Sequence, residues 1–149
     1  MYEIRRARPE DKESILRIYT SVVMPAPAPD VAYLSQSIQT GGLLVAETGD
    51  RLLIGFGGID VHAREQLKWL YLLPEHQRAG VGSALLQRLE ALAWEAGLNS
   101  LRLHSAPGAV EFYRRHGYRA VEVEEQIGHD HDGVEMVKEQ VAGRHHQTT

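Results

Sequence analysis

The 149 residues carry 43% hydrophobic and 24% charged side chains, the balance of one globular domain with a real core. A net charge of −4 argues against broad nucleic-acid binding, which needs a basic surface, and the absence of cysteine excludes a disulfide framework and a thiol nucleophile. The lack of cysteine fits a reducing cytoplasm, residues 1–6 show no apolar run of the signal-peptide kind, and no stretch approaches a membrane span.

Residues 2–6 alternate and predict a first strand. Pro9-Glu10-Asp11 supply a helix start, with Ile15, Leu16, Ile18 and Tyr19 as its apolar side. Pro25, Pro27 and Pro29 must break that helix, leaving a rigid linker or the wall of a site. Asp30 caps a second predicted helix with Val31, Leu34 and Ile38 on one face, and Gly41-Gly42 end it. Residues 43–47 and 52–60 read as strands joined at Gly49-Asp50, and residues 66–73 as the next strand. A glycine-bearing turn then opens a helix with Val81, Leu85, Leu89, Leu92 and Ala96 on one face, and Gly97 suits its end. Residues 98–104 predict a strand, 108–115 a short helix, and 118–124 and 134–138 the last two strands. This order predicts an α/β (α+β) domain over residues 1–142, a mixed sheet layered with helices. The tail at 143–149 is expected to be disordered.

The turn Gln77-Arg78-Ala79-Gly80-Val81-Gly82 follows the apolar run Leu70 to Leu73 and opens the long helix. The first N–H groups of a helix lack intrahelical partners, and the helix dipole adds partial positive charge there. Strand, turn and helix start in that order form a site for an anion, although a ligand-free tight turn has the same pattern. Glycines at 80 and 82 remove Cβ atoms that would keep a phosphate from the backbone. Neither G-x-x-x-x-G-K-[ST] nor G-x-G-x-x-G with a later acid is present, so the usual nucleotide loops are excluded. About thirty residues on lies Ser105-Ala106-Pro107-Gly108-Ala109-Val110-Glu111-Phe112-Tyr113-Arg114-Arg115-His116-Gly117-Tyr118. The Q-x-x-G-x-G turn resembles the pyrophosphate motif of the GNAT superfamily of acyl-CoA-dependent N-acyltransferases. The second segment is similar to that family's short helix with A-x-x-F-Y, a basic stretch and G-F or G-Y.

The resemblance implies a GNAT-like fold: a central splayed mixed sheet with the cofactor wedged in the opening. It implies acetyl-CoA as co-substrate, transfer to a primary amine by direct attack in a ternary complex, and no metal. The backbone N–H groups of Arg78, Ala79, Gly80, Val81, Gly82 and Ser83 would grip the pyrophosphate, with Gln77 shaping the loop. Pantetheine would run alongside Leu72 and Leu73, and the Leu72 N–H would face the thioester oxygen. Tyr113 matches the family tyrosine that protonates the thiolate; its other reading is a core aromatic. Arg78 stands where many members carry Gly, and Ala106 near a common Asn.

The base is open among His62, Glu65, His104 and a water chain, since Gln66 occupies the position of a carboxylate in some relatives. His129-Asp130-His131-Asp132 could hold zinc, but a polar loop bordering the acceptor is the preferred reading. Glu122, Glu124, Glu125, Asp130 and Asp132 would suit a cationic acceptor if they line the cleft. A noncatalytic acyl-CoA-binding or sensing module on the same fold is the alternative function. A small-molecule or peptide amine is the implied acceptor, and the resemblance also admits a homodimer.

Overall fold

The computed structural model describes residues 1–22, 30–77, 80–121 and 133–140. In chain order the elements are β1 (Tyr2–Arg6), α1 (Lys12–Val22), α2 (Val31–Thr40), β2 (Leu43–Thr48), β3 (Leu53–Ile59), β4 (Leu67–Leu72), α3 (Val81–Glu95), β5 (Ser100–Ser105), α4 (Val110–Arg115), β6 (Arg119–Ala120) and β7 (Val134–Glu139). Short helical turns at Pro9–Asp11, Pro74–His76 and Pro107–Ala109 lead into α1, the glycine turn and α4. Each begins on a proline, whose fixed φ suits a first helical position.

Local signals explain most boundaries. The Asp30 carboxylate accepts the Tyr33 N–H at 3.0 Å, the expected cap of α2. Helices α2 and α3 stop at Gly41 and Gly97, as their sequence predicts. The β2–β3 hairpin turns at Gly49-Asp50 as expected: the Arg51 N–H donates to the Thr48 carbonyl at 2.9 Å across them, and Arg51 then takes a left-handed φ of 67°.

Among the described residues the strands form two ladders, β1-β2-β3-β4 and β5-β7-β6, every pairing antiparallel. The expected splay is therefore complete: β4 and β5 are neighbours that share no ladder. On one face of the first ladder, Ile15 and Ile18 of α1 and Leu34 and Ile38 of α2 pack with Val45 and Phe56. On the other, Leu85, Leu86, Leu89 and Ala93 of α3 are fully buried. Those α3 residues share one core with Leu44 and Ile54 of the first ladder and with Leu101, Leu103 and Met136 of the second. Full burial of a Leu is worth about 1.5–3 kcal/mol, so this shared core is a main bond between the two ladders.

Polar pairs reinforce the arrangement. Glu90, buried on α3, accepts the Tyr118 hydroxyl at 2.8 Å and the Lys138 ammonium at 3.1 Å, tying α3 to β7. Arg5 bridges Asp11 at 2.8 Å and Glu47 at 3.0 Å, fixing the entry to α1 against β2. Among the described residues no helix is long and apolar enough to cross a membrane.

Candidate active site

The gap between β4 and β5 is a cleft of about 350 Å³. Residues 67–71, Gln77, Leu103, His104, Ser105 and Tyr113 line it, and Val22 closes the α1 side. Gln66 holds it at one end: the side-chain carbonyl accepts the Arg102 N–H at 2.8 Å. A carboxamide thus spans β4 and β5 where backbone pairing is absent. This residue, expected only as a non-basic substitute for a carboxylate, has a structural task that its sequence position does not reveal.

The edge of β4 supplies the backbone groups. The Leu73 N–H donates to the Ile54 carbonyl at 2.9 Å, within the β3 pairing. Alternation then turns the N–H and carbonyl of Leu72 away from β3 and toward the open side. The Gln77 carboxamide donates to that Leu72 carbonyl at 3.4 Å, which ties the turn to the strand end. The Leu72 side chain is buried in the α3 core. Leu73 packs instead with the α1 and α2 cluster.

Gly80 precedes α3 at φ 81°, a left-handed conformation that disfavours side chains, and a Cβ there would meet nothing within 4 Å. Gly82 differs from the expectation. A Cβ on it would lie 3.2 Å from Leu72 Cδ1 and 3.5 Å from Phe112 Cζ. The missing side chain lets α3 approach β4 and α4; it does not clear room for an anion. Val81 and Gly82 are buried in the first turn of α3, with Ser83 beside them. Arg78 and Ala79 lie outside the described residues.

Tyr113 is 8% exposed and stands on α4 with its ring edge-on to Phe112 at 5.1 Å and to Tyr118 at 5.6 Å. Burial, and then the neighbouring Tyr71, push its phenol well above the ordinary value of 10. The phenol therefore keeps its proton across the whole neutral range. Tyr71 projects from β4 toward α1, where it meets Tyr19 edge-on at 5.7 Å. Burial raises its phenol as well.

Of the three side chains considered as bases, only His104 lines the cleft with Tyr113. His62 borders a different, larger concavity of about 450 Å³, with Arg6, Asp60 and Glu95 at the other end of α3. That concavity shares no residue with the cleft. Glu65 lines neither, and one of its carboxylate oxygens is buried without a hydrogen bond. Sequence reasoning missed His116, whose ring reaches Ser83 of α3 at 2.9 Å. The available signal was its place four residues after Phe112, on the same face of a short helix. The proline segment at 23–29, the acidic residues Glu122, Glu124, Glu125, Asp130 and Asp132, the histidines His129 and His131, and the tail at 143–149 all lie outside the described residues.

A family model described as an Acetyltransferase (GNAT) domain matches residues 25–140. The chain belongs to the GNAT acetyltransferase family. This GNAT chain is 31% identical over 74 residues to the uncharacterized N-acetyltransferase YjcF of Bacillus subtilis, covering 50% of this chain and 53% of that protein. It is 39% identical over 66 residues to mycothiol acetyltransferase of Geodermatophilus obscurus, covering 44% of this chain and 21% of that one. The match thus spans about half of one curated relative and about a fifth of the other. Among solved structures, a GNAT family acetyltransferase from Staphylococcus aureus superposes with a TM-score of 0.78 at 15% identity, over 93% of this chain and 99% of that one. The PaiA N-acetyltransferase from Thermoplasma acidophilum, solved in complex with coenzyme A, gives 0.68 at 21% identity, over 94% and 99%. At such identities the likeness establishes the fold.

The residues present fit coenzyme A. The cleft has the volume of a small-molecule site, which runs from about 300 Å³ upward. One wall offers outward-facing strand backbone, and Gln77 of the turn leading to α3 also lines it; at Gly80, which opens that helix, a Cβ would meet nothing within 4 Å.

Proposed function

We propose that this chain, through a catalytic domain at residues 1–142, is an N-acetyltransferase that moves the acetyl group of acetyl-CoA to a primary amine by direct attack in a ternary complex. The observation that carries the reading is the convergence on one cleft of the β4 edge, Gln77 of the turn that leads to α3, and Tyr113. Acetyl-CoA supplies the activated acyl thioester. The backbone N–H groups of residues 78–83 hold its pyrophosphate, with Gln77 shaping the turn. Leu72 and Leu73 present strand edge to the pantetheine. The Leu72 N–H donates to the carbonyl oxygen as negative charge gathers there. The amine nitrogen forms its bond to the acyl carbon, and His104 or a water takes the nitrogen's surplus proton. Tyr113 gives its proton to the sulfur as the carbon–sulfur bond breaks, and regains one from solvent.

The acceptor is a small-molecule or peptide amine. The reaction is placed in the cytoplasm, which the absence of cysteine suits, and the chain is open to pairing as a homodimer. Thermal-shift titration with acetyl-CoA, followed by thiol release across a panel of primary amines, tests the proposal. Stabilisation with turnover on at least one amine is expected. Stabilisation without turnover on any amine would favour an acyl-CoA sensor. No stabilisation at all would remove the coenzyme from this cleft.

A further inference from the structure

His116 closes the C-terminal end of α4, three residues beyond Tyr113. Its Nδ1 lies 2.7 Å from the Phe112 carbonyl oxygen and its Nε2 lies 2.9 Å from Ser83 Oγ. A carbonyl only accepts, so Nδ1 carries the proton and donates. In the neutral ring Nε2 then accepts, and the Ser83 hydroxyl donates to it. The imidazole also packs on the Phe112 ring, with centroids 4.6 Å apart. The His116 backbone N–H donates to the Tyr113 carbonyl at 2.9 Å. One side chain therefore spans from the turn below Tyr113 to the first turn of α3.

Helix α4 has only 6 residues. Helices shorter than about 12 residues do not hold their shape alone, so contacts must fix its place. The other polar pair on its surface, Glu111 with Arg114 at 3.3 Å, lies within α4 itself. Among the described residues, His116 to Ser83 is the side-chain hydrogen bond that joins α4 to another element. Tyr113 has no such bond of its own to a described residue; its ring is held by packing against Phe112 and Tyr118.

We propose that His116 is the positioning residue for Tyr113: by locking α4 to α3 through Ser83, it sets the phenol's place in the cleft. The inference rests on Tyr113 acting as proton donor. A reacting group displaced by about 1 Å loses up to about a hundredfold in rate. His116 acts through that sensitivity without touching the substrate.

A double-mutant cycle tests it, read as single-turnover thiol release from saturating acetyl-CoA with water as acceptor. His116→Phe keeps the ring packed on Phe112 and deletes both nitrogens. In the otherwise native chain it should lower the rate constant about ten- to a hundredfold. With Tyr113→Phe already present, the same change should alter the rate by less than about twofold, because no hydroxyl is left to misplace. Equal losses in the two backgrounds, or an unchanged rate in the native one, would overturn the proposal. Ser83→Ala breaks the same tie from α3 by removing one oxygen, and it completes the cycle if His116→Phe does not fold. A Tyr113→Phe chain with the native rate would instead sink the proton-donor role itself. Equal losses beside a slow Tyr113→Phe chain would sink only the role of His116.

Discussion

Tyr113→Phe isolates one oxygen in the proposed reaction. Tyr113 is buried, and its edge contacts to Phe112 and Tyr118 survive the change. No described residue hydrogen-bonds the hydroxyl, so unfolding free energy should move by no more than about 0.5 kcal/mol. Catalysis should respond very differently. A positioned acid is worth about 10²–10⁴ in rate, which is about 3–5 kcal/mol at 1.36 kcal/mol per decade. Coenzyme A affinity should hold, since the lost interaction acts only as the sulfur departs. The pH profile adds a second mark. Burial raises the phenol above its ordinary value of 10, so the protonated form persists and the wild-type rate should not fall as pH passes through 10. Steady-state kinetics with an accepted amine, calorimetric titration with coenzyme A and a melting curve measure all three quantities. A mutant kcat within about threefold of wild type would refute the reasoning and return Tyr113 to a packing role.

Gln66→Leu strands the Arg102 N–H and should lower unfolding free energy by about 1–3 kcal/mol in urea titration, whereas Gln66→Glu keeps an acceptor and should lose less; equal stability of all three chains would show that the bridge contributes nothing. The Arg5 guanidinium holds Asp11 below the usual carboxylate range. A depressed carboxyl stabilises the fold above its unfolded pKa of about 3.9, and that stability is lost as pH falls through the lower folded value. Asp11→Asn should therefore flatten the decline of stability below about pH 4, and a mutant whose acid transition matched wild type would remove Asp11 from that linkage. Chelation of untagged protein should leave melting temperature and thiol release unchanged, because the proposed steps need only backbone dipoles and proton carriers. Stoichiometric metal lost together with activity would reverse this and direct attention to His129 and His131.

Periodic and capping signals made the helices legible. The face of α3 repeats Val81, Leu85 and Leu89 in register with its turns, and Asp30 announces α2 because a short carboxylate suits an N-cap. The starts of α3 and of the Tyr113 helix stand where the sequence puts them. What the sequence hid depends on partners distant in the chain. Nothing local to Gln66 says that Arg102 will come within reach of its carboxamide. Ser83 and His116 are 33 residues apart, so their bond exists only once α3 and α4 have packed. Gly82 misled for the same reason: the atoms that crowd it belong to Leu72 and Phe112. His62 and His104 are equally plausible proton carriers as letters, and only the fold separates them into different hollows.

The missing ladder between β4 and β5 has a consequence for how such a cleft is tuned. Paired strands are locked at about 4.8 Å by their hydrogen bonds, whatever their side chains. Away from the Gln66 bridge no such ruler applies, and the distance between the two edges is set by what fills the space behind them: Leu85 and Leu89 of α3, Leu101 of β5 and Met136 of β7. The width of the opening is thus a continuous function of side-chain volume. One methylene added or removed behind the two edges can widen or narrow the slot, so the bore of this cleft can be altered by residues that do not line it.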